Sequence, residues 1–241
     1  MKKTFLMIVA LLICGAMYGQ RTAQVTVTPK KNAFYLGLKA GLDLTTMTQP
    51  SQGNLYDKMG TGFSAGIVGK ARFNSASPNA PAGTGILGVG LELKYKLNNV
   101  KTFAVNDEGK QDAGLSLGYF EVPVYLQLFP FYKSDAMNTF YIEAGPDFAF
   151  LASKNPKTLT LTSKNGTQTI YNIDKLKGTD VRVLVGLGYD FPIKNSNNQI
   201  SNLIGLNARY YIGTTNLNQT LTSKMSTFEL SLSWMFSLGR L

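Results

Sequence analysis

Eight segments in which apolar and polar residues alternate constrain the fold of this chain more than any other feature. They are 34–44, 63–73, 87–97, 119–131, 140–150, 180–191, 203–213 and 227–238. Alternation with a period of two is typical of β-strands that have one apolar face. Segments of about ten residues are long enough to cross a bilayer as tilted strands, whereas no run after the first twenty residues approaches the ~20 consecutive apolar residues of a membrane helix. The sequence therefore predicts an all-β fold of eight antiparallel strands.

The lengths of the connections predict an up-and-down barrel. With the first strand starting on the periplasmic side, the outer connections are 46–61, 98–114, 152–179 and 213–225, and the periplasmic ones are 74–85, 130–138 and 192–202. The outer set is longer on average, as in bacterial outer-membrane barrels. Inside the longest connection a further alternating stretch surrounds Asn165-Gly166, and Asn-Gly is a strong hairpin signal. We expect a hairpin there that projects beyond the membrane.

Glycine indicates which face of the barrel is outside. A soluble lipocalin-like barrel lines a ligand cavity with its apolar face, whereas a membrane barrel turns that face to lipid. An eight-stranded barrel is just wide enough to be filled by side chains, so large inward residues need very small neighbours. The glycines that share the polar face with charged residues are Gly37, Gly41, Gly66, Gly88, Gly90, Gly118, Gly186 and Gly188. This combination favours a transmembrane β-barrel with a polar, side-chain-filled interior.

The apolar face supports the same interpretation. It carries no Lys, Arg, Asp or Glu through the spanning part of any strand, and a charge facing lipid at the midplane costs about 2–4 kcal/mol. Aromatic residues gather toward the strand ends, where interfacial girdles are expected: Phe34, Phe63, Phe73, Phe129, Phe131, Phe140, Phe148, Phe150, Phe191, Trp234 and Phe236. We expect outer-membrane lipid to surround the barrel.

The segment 119–131 carries a charge and a proline at the centre of an otherwise regular strand. Glu121 and Pro123 lie on its polar face, which points into the barrel. Proline has no N–H to donate, and a closed barrel has no edge. We therefore expect Pro123 at a bulge or beside a carbonyl that bonds a side chain or water, and a similar break at Pro146.

The N-terminus predicts a secretory signal peptide. Lys2 and Lys3 precede the apolar run Thr4–Ile13, which is too short to span a bilayer, and small residues follow it. We expect the signal to cover residues 1–19, with cleavage between 16 and 20. A periplasmic segment over 20–31 and a barrel domain over 32–241 complete the expected organisation. The chain is thus expected as an integral outer-membrane protein of a Gram-negative cell.

The mature chain is expected to lack histidine and cysteine, two residue types that are common in catalytic and metal sites. The sequence has no histidine, and its one cysteine, Cys14, lies in the predicted signal. Disulfides, Cys nucleophiles, His general bases and His/Cys metal sites are therefore excluded. Calcium or magnesium on carboxylates stays open, but no residue is assigned as catalytic, cofactor-binding or metal-binding. We expect no enzymatic activity and no cofactor.

The formal net charge of +10 raises the question of an anionic partner. The basic residues are scattered, with no run of five or more. Phosphate-rich lipid headgroups therefore fit better than nucleic acid as the anionic partner. Separately, we expect the barrel to be monomeric.

The polar face predicts an ionic network that fills the lumen, because buried charges need partners. Glu121 is expected to pair with Arg182, Lys94 or Arg209. Two functional alternatives are a selectivity filter and a Glu121/Glu143 carboxylate pair for acid–base chemistry. The expected network residues are Lys39, Lys70, Arg72, Glu92, Lys94, Glu121, Glu143, Arg182, Arg209 and Glu229, with Asp180 on the same face.

The strands that carry these residues resemble the PorT-like outer-membrane β-barrel family, which is typical of Bacteroidetes. The family pattern combines a Tyr-x-Glu-hydrophobic-Pro strand, a Glu-x-Gly-Pro strand, a Gly-x-Gly strand and an Arg-Tyr-x-x-Gly strand. The matching positions are Tyr119, Glu121, Pro123, Glu143, Gly145, Pro146, Gly186, Gly188, Arg209, Tyr210 and Gly213. The resemblance implies an outer-membrane barrel. Members named for PorT are linked to the type IX secretion system, so it also implies secretion-system or other envelope proteins as candidate partners.

These observations predict a non-enzymatic barrel with a plugged interior that acts through its outer loops, or as a structural or secretion-accessory component. A narrow pore or small-solute transporter is the alternative from another functional class. A soluble ligand-binding barrel is the third.

Overall fold

Each of the eight alternating segments forms a β-strand in the computed structural model. The structure describes residues 32–48, 55–73, 84–106, 109–134, 136–155, 158–162, 168–172, 176–196, 200–216 and 224–240. The predicted signal peptide and the segment 20–31 lie outside these ranges. The strands within them are β1 (Ala33–Thr48), β2 (Leu55–Lys58), β3 (Gly60–Arg72), β4 (Leu87–Asn106), β5 (Gly109–Leu128), β6 (Phe140–Asn155), β7 (Thr158–Thr162), β8 (Gln168–Asn172), β9 (Thr179–Lys194), β10 (Ile200–Gly213) and β11 (Lys224–Arg240).

The eight long strands close into a barrel. They pair antiparallel in the order β1-β3-β4-β5-β6-β9-β10-β11, and β11 pairs back onto β1. In the closing pair Leu38 lies opposite Trp234 and Asp43 lies opposite Glu229. Because every strand of a closed sheet has two neighbours, the backbone donors and acceptors can be satisfied without water. The predicted eight-stranded antiparallel barrel is confirmed.

The apolar face of each strand points outward. On β1 the exposed fraction is 67% for Leu38 and 71% for Leu42, against 7% for Lys39 and 1% for Asp43. The outward apolar side chains suit lipid, and the buried charged side chains fill the lumen. This arrangement contradicts the lipocalin-like alternative, whose apolar face would be inside.

One residue assigned to the aromatic girdle lies inside instead. Phe129 follows β5 and is buried, with the guanidinium of Arg72 3.7 Å from its ring centre. The reason is strand parity, since Phe129 continues the inward face of Gln127. Phe131 has the same parity but lies in the turn after β5, where the alternation no longer holds. It is exposed and lies against Phe140, with ring centroids 5.8 Å apart. Phe131 therefore keeps its predicted place in the girdle.

Strands β4 and β5 extend far into the interval 98–114, which the sequence pattern assigns to an outer connection. β4 continues to Asn106 and β5 starts at Gly109. Within the predicted connection 46–61, β2 pairs with β4 at Leu55–Ala104 through Lys58–Lys101. These predicted strand ends are wrong because lipid imposes the apolar alternation, whereas antiparallel pairing needs only the backbone. Pairing therefore continues where the pattern stops.

The predicted hairpin in the longest outer connection is present. β7 and β8 form a two-stranded sheet, from Thr158 opposite Asn172 to Thr162 opposite Gln168. Its predicted turn residues, Asn165 and Gly166, lie outside the described residues. Most of the predicted periplasmic connection 74–85 also lies outside the described residues.

Pro123 interrupts the barrel ladder without a bulge. The β4–β5 pairing skips Val122 and Pro123 but keeps one register on both sides of them. The β5–β6 pairing skips Gly145 and Pro146, and its register shift lies elsewhere, at Gly118. Of the two arrangements expected at Pro123, the bulge is not found and the gap in the ladder agrees with the second, in which a carbonyl is left unpaired. The break expected at Pro146 is found. A proline removes one donor but adds no residue, so the register need not change.

No helix long and apolar enough to cross a membrane occurs in the part of the chain that the structure describes.

Candidate functional site

Charged side chains fill the lumen. All ten residues of the expected network face it and are buried. Five further buried charges accompany them: Asp43, Lys96, Asp147, Asp180 and Asp190. Among the described residues, seven basic and eight acidic side chains are thus buried, so their charges nearly cancel. We call these fifteen side chains the lumenal network.

The centre of the lumen is closed around Glu92 of β4. Its carboxylate oxygen Oε1 accepts hydrogen bonds from Lys39 Nζ at 3.1 Å and from the Tyr125 hydroxyl at 2.8 Å, and lies 2.8 Å from Arg209 Nη1. The strand of Arg209, β10, is four strands away from β4 in either direction around the barrel. The Glu92–Arg209 pair therefore spans the full width of the lumen.

Arg209 also binds Glu143 of β6. Its Nε donates to Glu143 Oε1, and Gln127 donates to the other oxygen of that carboxylate at 3.1 Å. Glu143 is thus held by Arg209, while Glu121 is held by a different arginine. The two carboxylates do not form the acid–base pair considered from the sequence.

Glu229 of β11 gathers three lysines in the outer half of the lumen. Its carboxylate lies 2.5 Å from Lys94 Nζ, 3.1 Å from Lys96 Nζ and 3.5 Å from Lys39 Nζ. Lys96 also lies 2.9 Å from Asp43. Lysines of β1 and β4, two strands separated by β3, are therefore held together by a shared carboxylate of β11.

Glu121 meets two of its three expected partners. Arg182 Nη2 donates to Glu121, and Lys94 lies 3.5 Å from the same carboxylate. The third candidate, on β10, binds the two glutamates described above. Arg182 Nε also lies 3.1 Å from Asp147 and 3.5 Å from Asp180. One arginine thus holds three carboxylates toward the outer end.

Sequence reasoning missed Asp147. It stands in the run Gly145-Pro146-Asp147, and glycine, proline and aspartate together are typical of a turn. The signal that could have found it is parity, because Asp147 lies four residues after Glu143 and so on the same face of β6.

Lys70 and Arg72 form a separate cluster nearer to the periplasmic end. Lys70 Nζ lies 2.9 Å from Asp190 and donates to the Tyr141 hydroxyl at 2.9 Å. β3 and β9, which carry Lys70 and Asp190, are again opposite strands of the barrel. Arg72 Nε donates to the carbonyl of Gly85 at 3.0 Å. The lumen is therefore bridged across its width at a second level.

Glycines make room for inward tyrosine rings. Gly90 lies opposite Tyr125, and Gly188 lies opposite Tyr141. A Cβ atom at Gly188 would come within 2.5 Å of the Tyr141 hydroxyl oxygen. Pairing an aromatic side chain with a glycine across strands is a known way to fill a barrel. The polar-face glycines thus serve the close packing that the sequence predicts.

An apolar cluster lies toward each end of the lumen. The periplasmic cluster consists of Ala33, Tyr35, Val68, Leu203 and Met235. The outer cluster consists of Leu117, Tyr119, Ala149 and Met225. Apolar surroundings lower the local dielectric constant and strengthen the ion pairs between them. We call these two groups the apolar caps.

The chemistry of this arrangement is mutual neutralisation. No group of three or more metal-ligating side chains is found among the described residues. The network carboxylates described above lie against lysine or arginine side chains, so they bind strand to strand across the lumen. Of the family-motif positions, all but Pro146 and Tyr210 lie on the inward face.

The chain is similar to several solved outer-membrane barrels. Ail, the attachment invasion locus protein of Yersinia pestis, is 14% identical with a TM-score of 0.38, and the match covers 84% of this chain and 99% of Ail. OprG from Pseudomonas aeruginosa is 13% identical with a TM-score of 0.41, covering 86% of this chain and 97% of OprG. Neisserial surface protein A is 12% identical with a TM-score of 0.42, covering 85% and 97%.

No curated protein sequence matches the chain. The family model for the outer membrane protein beta-barrel domain matches residues 20–219, which is most of the sequence and includes the strands β1 to β10. The chain therefore belongs to the outer membrane protein beta-barrel domain family.

Proposed function

We propose that this outer-membrane barrel is non-conducting and non-enzymatic, and that its role lies in the hairpins on its outer side. The observation that carries the proposal is the closure of the lumen across its width. Glu92–Arg209 and Lys70–Asp190 each join opposite strands, at 2.8 and 2.9 Å. Ions and solutes would have to part both pairs.

Parting these pairs is costly. Removing one partner of a buried ion pair costs about 3–5 kcal/mol, because the other charge is left without compensation. A continuous water path needs several pairs to separate together and both apolar caps to open. The closed state is therefore favoured over a narrow pore.

The outer hairpins are the natural place for a function on such a closed scaffold. β4 and β5 continue to Asn106 and Gly109, and β7–β8 forms a second projecting unit. Binding residues concentrate on segments that a rigid framework holds in place. This arrangement supports a surface-interaction role.

A secretion-accessory role of the PorT-like kind is the finer form of the proposal. Its support is the set of family-motif positions on four strands, several of which belong to the lumenal network. The absence of histidine and the position of Cys14 in the sequence support a non-enzymatic role. Other envelope proteins are the proposed partners, and a pull-down in mild detergent tests for them.

Conductance in planar bilayers tests the closed lumen. The folded protein, identified by its shift in gel mobility on heating, is expected to give no steady channels when vesicles carrying it are fused with the bilayer. Steady, ion-selective channels at the stoichiometry of folded protein would overturn the proposal and favour a narrow pore. Empty vesicles are the control for leak.

A further inference from the structure

The projecting part of β5 has a partner on one side only. β5 pairs with β4 along its whole length, from Gly109 opposite Asn106 onward. On its other side the ladder with β6 stops at Ser116, opposite Asn155. Residues 109–115 therefore have no second neighbour among the described strands over about 23 Å. Such an edge presents backbone groups that can pair with another strand.

The opposite side of the same hairpin is covered. β2 pairs with β4 from Leu55 opposite Ala104 to Lys58 opposite Lys101. The chain therefore covers one edge of the projecting sheet with its own short strand and leaves the β5 edge for another.

β7 is placed to cover that edge. It starts at Thr158, with only two residues between it and the end of β6 at Asn155. If the β5–β6 register continued upward, Thr158 would lie opposite Ala113 and Thr162 opposite Gly109. The five residues of β7 would then end level with the first residue of β5.

The register of the β7–β8 hairpin agrees with this placement. Below it, Phe150 of β6 lies opposite Thr179 of β9, and the Leu151 N–H donates to the Gly178 carbonyl at 2.8 Å. If the β6–β9 register continued upward, Thr158 would lie opposite Tyr171. In the β7–β8 ladder it lies opposite the next residue, Asn172, so the two registers differ by one residue. The order β4-β5-β7-β8 would thus repeat the barrel order β4-β5-β6-β9 directly beneath it.

We propose that the β7–β8 hairpin is a strap that closes onto β5, with β7 pairing antiparallel to residues 109–113. Closing joins β2, β4, β5, β7 and β8 into one projecting sheet. The structure, in which β7–β8 forms its own sheet, corresponds to the open strap. When the strap is open, the β5 edge is free to pair with an extended segment of a partner protein. When it is closed, β7 occupies that edge, so the strap regulates access to the β4–β5 hairpin. This role rests on the proposed function, in which the outer hairpins bind partners.

Engineered disulfides test the pairing. Ala113→Cys with Thr158→Cys places two cysteines directly opposite each other in the closed register, where Cα atoms are about 4.5–5.5 Å apart. This separation is within the range that a disulfide bridges. Oxidation in isolated outer membranes is expected to give a cross-linked species on a non-reducing gel, which reduction removes. Gln111→Cys with Thr160→Cys is expected to behave in the same way.

An out-of-register pair is the matched control. Ala113→Cys with Thr162→Cys lies four residues out of register, or about 13 Å along the strand, and is expected to cross-link several-fold less. Equal yields from both pairs, or no cross-link in either in-register variant, would overturn the strap. The heat shift on gels shows that each variant is folded. Single-cysteine variants report any bond to Cys14, and bilayer conductance tests the closed lumen independently of this result.

Discussion

At the residue scale, Glu121 is surrounded by more cations than it can neutralise alone. Arg182 donates to it, and Lys94 and Lys96 lie 3.5 and 3.9 Å from it. Glu121→Ala is expected to lower the free energy of unfolding by about 3–5 kcal/mol, because it leaves buried positive charge without compensation. Urea titration in lipid vesicles, followed by the fluorescence of the single tryptophan, Trp234, measures this change.

The matched control for Glu121→Ala is a charge outside the lumen. Lys177 is exposed, and Lys177→Ala is expected to stay within about 0.5 kcal/mol of the wild type. Equal unfolding midpoints for the two variants would contradict a structural role of the Glu121 ion pairs.

Strand parity predicts which residues enter the lumen, but it cannot predict which of them meet. Arg182, Lys94 and Arg209 are the three partners expected for Glu121, and the first two lie against it. Arg209 binds Glu92 and Glu143 instead. Lys70 is likewise predicted to face the lumen, but parity does not show that its partner is Asp190 on the opposite strand. The height of a residue in a barrel depends on the stagger that accumulates from strand to strand. A single strand's sequence does not contain that stagger.

At the element scale, the seam between β1 and β11 depends on close backbone approach at Gly37. A Cβ atom there would lie 2.5 Å from the Cα of Met235 and 2.7 Å from the carbonyl carbon of Trp234. Because these are backbone atoms of the neighbouring strand, they can move only if the seam opens. Gly37→Ala is expected to destabilise the barrel by about 1–3 kcal/mol, measured as a lower urea midpoint and a smaller heat-shifting fraction on gels.

Gly69 offers a control on the adjacent strand β3. A Cβ atom at Gly69 would have its nearest neighbour, the Leu91 carbonyl oxygen, at 3.8 Å, which is ordinary van der Waals contact. Gly69→Ala is therefore expected to leave the unfolding midpoint nearly unchanged. A similar loss of stability in both variants would mean that the close approach at Gly37 does not limit closure of the seam.

Alternation predicts the existence and the faces of the long strands because lipid selects the outward residues. Strand ends are less predictable, since the β4–β5 ladder continues to Asn106 and Gly109 beyond the apolar pattern. The sequence predicts that Pro123 disturbs the ladder, but it leaves open whether a bulge or a simple gap results, and the structure has a gap. Proline identifies a missing donor, whereas a bulge requires an additional residue.

At the scale of the whole molecule, buried side chains fill the lumen at several levels. The Glu92–Arg209 pair crosses the centre of the lumen, Lys70–Asp190 crosses it nearer to the periplasmic end, and the apolar caps lie toward its two ends. The double variant Glu92→Ala/Arg209→Ala is therefore expected to remain silent in planar bilayers, although it unfolds at a lower urea concentration because Glu143 loses its arginine. Steady channels from the folded variant would show that the central pair alone closes the lumen.

The control for this variant lies on the same two strands. Leu91 and Tyr210 adjoin Glu92 and Arg209 in sequence but face outward. Leu91→Ala/Tyr210→Ala is expected to stay silent and to keep more of its stability than the lumenal double variant. The reverse order of stability would contradict a structural role of the central pair.

The fold of the whole molecule follows from the sequence more directly than the apolar caps do. Val68, Leu117 and Met225 are apolar residues on the inward faces of their strands, where the alternation favours polar residues. Only the closed barrel shows that they come together at its two ends. Their role therefore depends on the relation between distant strands rather than on any local pattern.

The near-cancellation of charge in the lumen determines how the protein presents itself electrically to its surroundings. The lumenal network contains seven of the 24 basic and eight of the 14 acidic residues of the sequence. Seventeen basic and six acidic residues remain, or fifteen basic residues once Lys2 and Lys3 are lost with the predicted signal. The positive excess therefore belongs to the rest of the chain. Surrounding lipids and proteins then meet a net positive charge outside the lumen, while the lumenal charges nearly cancel. The protein's attraction to phosphate-bearing headgroups is expected to weaken as ionic strength rises and the Debye length falls below about 10 Å.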